Sequence, residues 1–268
     1  MAEHLVNLAA FLLILSAIWM LLTYKKGFVK SNLIINWICV IPLFSALAIR
    51  WKFYISAMGL NPLQSFPVAS FYESVVLLAC IVLVVVNFKF KAFNANGPLI
   101  SCLTNGICGI ILLALNFSNI PSKPVLFLPS LKSYWLTAHV LLSFIAYAMF
   151  FVAAILSIYS LCSKSGLSMR ATVESLIGKG LIIFTIGGLV FGAVWAEHSW
   201  GRLWAWDPKE TWAFITWCVY ALLFHLTYSS RISEKVFYLL TAIAFLFVIF
   251  TFVGVNVIFA GLHSYVSI

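Results

Sequence analysis

Residues 134–162 read YWLTAHVLLSFIAYAMFFVAAILSIYSLC, twenty-nine positions with no charged side chain and a single imidazole. As a helix this run would be ~43 Å long, more than the ~30 Å of a hydrocarbon core. In lipid a backbone must satisfy its own polar groups, which a helix does within one segment. Seven further runs of comparable character lie near 5–24, 32–49, 68–88, 98–116, 180–197, 211–229 and 236–262. The stretch from Phe53 to Tyr72 is also uncharged, but Gly59, Asn61, Pro62, Gln64 and Pro67 interrupt it, so its first part reads as an apolar loop at an interface.

Composition agrees with this pattern. Of 268 residues, 64% are apolar and 9% charged, against roughly 45–50% and 25% in soluble domains. A soluble globule, a disordered chain, a collagen-like chain and a small disulfide scaffold are all excluded. The expectation is an all-α polytopic membrane helical bundle of about eight transmembrane helices, one integral membrane domain over 1–268. The first run follows Glu3 and His4 without a basic leader, so it reads as a retained span and not as a cleaved signal. The six cysteines show no CxxC spacing and sit mostly inside apolar runs, as small buried hydrophobes do.

The net charge of +9 is read as topology and not as a nucleic-acid patch. One set of loops holds Lys25, Lys26, Lys30, Lys89, Lys91, Lys164, Arg170, Lys179, Arg231 and Lys235, opposed only by Glu174 and Glu234. The other holds Arg50, Lys52, Lys123, Lys132, Arg202 and Lys209, nearly balanced by Glu3, Glu73, Glu197, Asp207 and Glu210. The first set is expected on the cytoplasmic side, which puts both termini and the loops near 117–133 and 198–210 outside.

Six of the ten tryptophans fall within 195–217, namely Trp195, Trp200, Trp204, Trp206, Trp212 and Trp217. An interfacial aromatic belt accounts for Trp195, Trp212 and Trp217 equally well. Trp200, Trp204 and Trp206 lie in the expected external loop, within 195–212, where anchoring two helix ends does not require three indoles. Large flat rings there suit a large flat aromatic ligand. Asp207, Pro208 and Glu210 form an N-cap, a proline at the first helical position and a capping-box acid. Arg202 and Lys209 are cations at the rim, able to pair with ligand carboxylates or to serve as plain surface charges.

Only five histidines occur, and an ionisable residue within a span needs a partner. His139 stands about six residues into the fifth run, ~9 Å from its outer end. His263 follows the eighth run, and 27 residues of helix from Val236 would carry it ~40 Å, to the same outer level. His225 lies about 14 residues into the seventh run, ~21 Å down and in the inner half. Two imidazoles level with an aromatic shelf suggest bis-His haem ligation, with zinc the competing metal and a hydrogen-bonded packing role the plain alternative for each ring. His4 is terminal and His198 is expected in the loop.

At WGRLWAWDPKETW (200–212), together with His139, His225 and His263, the sequence resembles the haem-handling membrane proteins with a tryptophan-rich WWD signature, and among them the CcsA (ResC) subunits of System II cytochrome c synthases. The resemblance covers the whole pattern of spans. It implies that His139 and His263 ligate haem at the outer face, that His225 belongs to a second haem site within the membrane, and that Trp195, Trp200, Arg202, Trp204, Trp206 and Asp207 surround the ligand, haem b. The FYESV stretch at 71–75, with Glu73, also resembles a segment of that family. It implies a holocytochrome c synthase (cytochrome c haem-lyase) subunit of a bacterial cytoplasmic membrane or a thylakoid membrane, acting on the CxxCH segment of apocytochrome c kept reduced by thioredoxin-like proteins. The family's second membrane histidine lies on a CcsB (ResB) part that nothing before residue 130 supplies except His4, so a partner subunit of that type is implied. Two rivals are transfer of haem to a chaperone without ligation, as in CcmC-type relatives, and a haem-free transporter using His225 as a proton relay.

Overall fold

The computed structural model describes residues 1–23, 29–163, 169–227 and 232–259, and among these every regular element is helical. Eight long helical rods follow one another among the described residues: α1 (Ala2–Thr23), α2 (Val29–Met58), α3 (Phe71–Lys89), α4 (Gly97–Phe117), α5 (Tyr134–Cys162), α6 (Arg170–Trp200), α7 (Pro208–Thr227) and α8 (Glu234–Ile258). Seven are long and apolar enough to cross a membrane by length and composition. The exception, α7, opens on Lys209 and Glu210 and carries Trp212, Trp217, Tyr220 and His225, which reduce its apolar character. Large apolar side chains stand on the outside, Phe44 at 66% exposure and Leu22 at 69%, as expected where the solvent is lipid.

Local chemistry accounts for several helix ends. Ser70 and Glu73 form a reciprocal capping box at the start of α3, and Ser133 and Ser233 cap α5 and α8. Gly201, at φ +72°, ends α6 in the left-handed region open to glycine. Helix α2 runs farther than expected: 53–58 is helical, not loop, because the first breaker is Gly59 at φ +62°. Helix α6 also begins and ends outside the expected 180–197, spanning Arg170–Trp200, so His198 and Trp200 finish a helix instead of lying in a loop. Helix α8 stops at Ile258 and Phe259 is extended; His263 lies outside the described residues.

The chain divides into two compact units, Met1–Leu128 and Pro129–Ile268. In the first, α1 packs on α4, where a Cβ at Gly109 would meet the Ala10 carbonyl at 3.2 Å, the small-residue contact that membrane helices favour. Amides join three helices, α1, α2 and α4: Asn105 Nδ2 donates to Ser16 Oγ (2.9 Å) and Asn36 Oδ1 (2.7 Å), and Asn36 Nδ2 donates to Ser101 Oγ (3.0 Å). Arg50 and Glu73, expected as loop charges, form a buried ion pair at 2.8 Å. They cancel each other, so the asymmetry of the loop charges is unchanged.

In the second unit α5 packs against both α6 and α8. Phe150 stacks on Tyr220 with centroids 3.6 Å apart, and Gly180 passes so close to Phe150 that a Cβ would lie 2.6 Å from its ring. Two helices widen into π turns, α6 at Thr185–Phe191 and α8 at Phe250–Gly254. Both are tied to α7. Trp217 Nε1 donates to Thr185 Oγ1 (2.9 Å), while Thr251 Oγ1 donates to the Trp212 carbonyl (3.1 Å) and shares a 2.8 Å bond with Thr216.

Candidate functional site

His139 is half-buried near the start of α5. Its Nδ1 lies 2.8 Å from the Gly187 carbonyl of α6, so the neutral ring carries its proton on Nδ1 and its lone pair on Nε2. His198 and His225 place Nδ1 on carbonyls four residues back in their own helices, Val194 (2.8 Å) and Ala221 (2.7 Å), a bond any helical histidine can form. The bond of His139 is different because it crosses between helices, over 48 residues of sequence.

Trp195 is 1% exposed, and its indole lies nearly parallel to the His139 ring, 10° between planes and 6.2 Å between centroids. Its Nε1 donates to the Ser130 carbonyl (3.0 Å), and its edge meets Trp200 at 5.8 Å. The structure thus brings together His139, Trp195 and Trp200. Trp195 and Trp200 belong to α6, which limits the loop proper to Gly201–Asp207.

That loop is built from its far end. Asp207 Oδ1 accepts from the Lys209 N–H (2.9 Å), and Glu210 Oε2 accepts from the N–H groups of Ala205 (2.8 Å) and Asp207 (3.4 Å). The capping reading of Asp207 and Glu210 holds, and it fixes where the loop enters α7. Trp206, at φ +56°, is the one described non-glycine in the left-handed region, a strained placement that costs roughly 1–3 kcal/mol and clusters at functional sites. Its ring is 68% exposed and meets Trp204 edge-on at 5.7 Å. Trp204 also meets Phe214 at 6.3 Å, and its buried Nε1 has no acceptor among the described residues.

Of the remaining expected residues, Arg202 is exposed in the loop. Lys209 turns inward, Nζ donating to Asn256 Oδ1 of α8 (2.8 Å), and so braces α8 two residues before its end. His225 is exposed on α7, ~26 Å along that helix from Pro208. Sequence reasoning missed Gly187, Gly192 and the threonines of the π turns; the Gly187–Gly188 pair inside an apolar run was the available signal.

The residues present suit a flat macrocycle bound through iron. A histidine whose tautomer is set by a carbonyl is the usual form of a metal-ligating imidazole, and a buried indole N–H without an acceptor is a donor available to a carboxylate.

Comparison with known proteins agrees with the resemblance. The family model described as cytochrome C assembly protein matches residues 68–263. The cytochrome c biogenesis protein CcsA of Chlamydomonas reinhardtii is 34% identical over 222 residues, 75% of this chain and 61% of that protein. CcsA of Guillardia theta is 30% identical over 235 residues, covering 75% and 76%, and protein NrfI of Wolinella succinogenes is 37% identical over 172 residues, covering 59% and 19%. The chain therefore spans 61% of the first and 19% of the last. Among solved structures, cytochrome c haem lyase CcmF has the same fold over 94% of this chain and 45% of its own, with a TM-score of 0.68 at 16% identity. The chain belongs to the cytochrome c assembly protein family, in the group of the CcsA proteins.

Proposed function

We propose that this chain is the haem-handling membrane subunit of a cytochrome c synthase. It moves haem b across the membrane and holds it beside the tryptophan-rich loop for attachment to apocytochrome c. The observation that carries the reading is the cross-helix bond from His139 Nδ1 to the Gly187 carbonyl, with Trp195 stacked on the ring. His139 and His263 would hold the haem iron. Trp200, Trp204 and Trp206 bound the ring, with Trp204 Nε1 and Arg202 available to its carboxylates. Asp207 and Glu210 hold the loop in register with α7.

Bound haem supplies two vinyl groups, to which the CxxCH thiols add, sulfur to one carbon and hydrogen to its neighbour. The protein contributes position and control of iron ligation, and none of its residues need form a covalent intermediate. Thioredoxin-like proteins keep the incoming thiols reduced. His225 serves a haem site within the membrane, completed by a ligand from a CcsB-type (ResB-type) partner, which its exposed position on α7 supports. The tryptophan-rich loop and both termini face the periplasm, or the lumen in a thylakoid, because ten of the sixteen basic residues belong to the opposite loops.

The test is an absorption spectrum of the detergent-purified chain, alone and with its partner. A low-spin bis-His b-type spectrum is expected, lost in both His139→Ala and His263→Ala. Haem content and spectrum unchanged in both variants would sink the proposal.

A further inference from the structure

Gly187 and His139 meet because the two helices touch at their backbones. A Cβ on Gly187 would overlap that of Leu142 and stand 3.1 Å from the Leu142 carbonyl carbon and the Ser143 nitrogen, so no side chain fits there. Gly187 also stands in the π turn Thr185–Phe191, where the widened backbone redirects its carbonyls from the α-helical course. Five residues on, Gly192 passes beside the ring: a Cβ there would meet both Cε1 and Nδ1 of His139 at 3.0 Å. Trp195, one turn further, lies nearly parallel to the ring with its centroid 6.2 Å away. The π turn is itself held, since Thr185 donates to the Leu181 carbonyl (2.8 Å) and accepts from Trp217 of α7.

We infer that Gly187 is the positioning residue of His139: its carbonyl holds the ring in the Nδ1–H tautomer and aims Nε2 as the metal ligand, while Gly192 leaves the space in which the ring lies. The inference rests on the reading of His139 as an axial ligand. A carbonyl accepting from Nδ1–H makes Nε2 a stronger donor to iron, and loss of such an outer partner weakens metal binding by roughly 10- to 100-fold.

The test titrates haem b into the purified full-length chain and reads affinity and spin state, not synthase activity. Gly187→Ala must move α6 from α5, and is expected to weaken haem binding by about tenfold or more while helical content is kept. The same substitution is then made in His139→Gly, with the ligand supplied as free imidazole. Positioning predicts that Gly187→Ala is silent there, because the imidazole is no longer tethered to α5. An equal loss in both backgrounds makes Gly187 merely structural and overturns the inference, as does no loss in the parent chain. Should Gly187→Ala fail to fold, His139 is replaced by Nδ-methylhistidine, which keeps Nε2, changes no residue of α6 and puts a methyl where the Gly187 carbonyl accepted the N–H. Weaker binding is expected, and parent-like affinity and spin state overturn the inference. His139→Gly binding haem as the parent does, without imidazole, shows that His139 is no ligand and overturns both readings. A failure confined to the Gly187 variants leaves the ligand reading standing.

Discussion

The indole of Trp195 lies almost parallel to the imidazole of His139, 10° between their planes, while its Nε1 donates to the Ser130 carbonyl ahead of α5. One side chain from the end of α6 thus joins the start of α5 to the candidate ligand. Trp195→Phe keeps an aromatic face against His139 and loses one hydrogen bond, which is worth about 1 kcal/mol. Trp195→Ala opens a cavity in the core, at about 3–5 kcal/mol. Thermal unfolding in detergent should rank parent above Phe above Ala, with haem binding nearly retained in Phe and lost in Ala. Equal effects of the two substitutions would contradict the packing assigned to the ring.

The buried pair of Arg50 and Glu73 is also joined by Tyr54, whose hydroxyl donates to Glu73 (2.6 Å), and Arg50 Nη1 donates to the Ser122 carbonyl (2.7 Å). Glu73→Ala leaves a buried guanidinium without its counter-ion and is expected to cost about 3–5 kcal/mol. Arg50→Met with Glu73→Leu removes both charges and should be less harmful than the single change. A denaturation series in which the double variant is the weaker one would refute this.

Glu210 closes the loop onto α7. Glu210→Ala leaves the Ala205 and Asp207 N–H groups without their acceptor and should lower stability by about 1–2 kcal/mol. Glu210→Gln keeps an acceptor and should lose less than half of that. The loss should be local, seen as faster hydrogen exchange of 203–209 by mass spectrometry; unchanged exchange in Glu210→Ala would rule out the capping role.

His225 is expected to act upstream of the outer site. His225→Ala should reduce the haem reaching that site in cells, and haem or imidazole supplied from outside should partly restore it. Outer-site haem equal in variant and parent would remove His225 from the route.

Much of the fold was legible because its causes are local. Apolar runs of sufficient length located the helices, and Asp207 with Glu210 announced the start of α7 within a single turn of chain. The missed boundaries have local causes too: nothing in 53–58 stops a helix, and α2 continues to Gly59. Likewise nothing before Gly201 ends α6, so Trp200 and His198 finish a helix.

For the site, the sequence by itself determined which residue types were at hand: a membrane chain with few imidazoles, two of them expected level with a cluster of indoles. Tertiary structure decided which of these meet. His139 finds Gly187 across 48 residues, and Arg50 finds Glu73 across 23. Hydrophobic periodicity says that a helix forms and which residues are apolar, but a partner on another helix depends on rotation and register between the two. Here that register rests on glycines at Gly187 and Gly192 and on π turns that no composition announces, because each is a response to what lies across the interface.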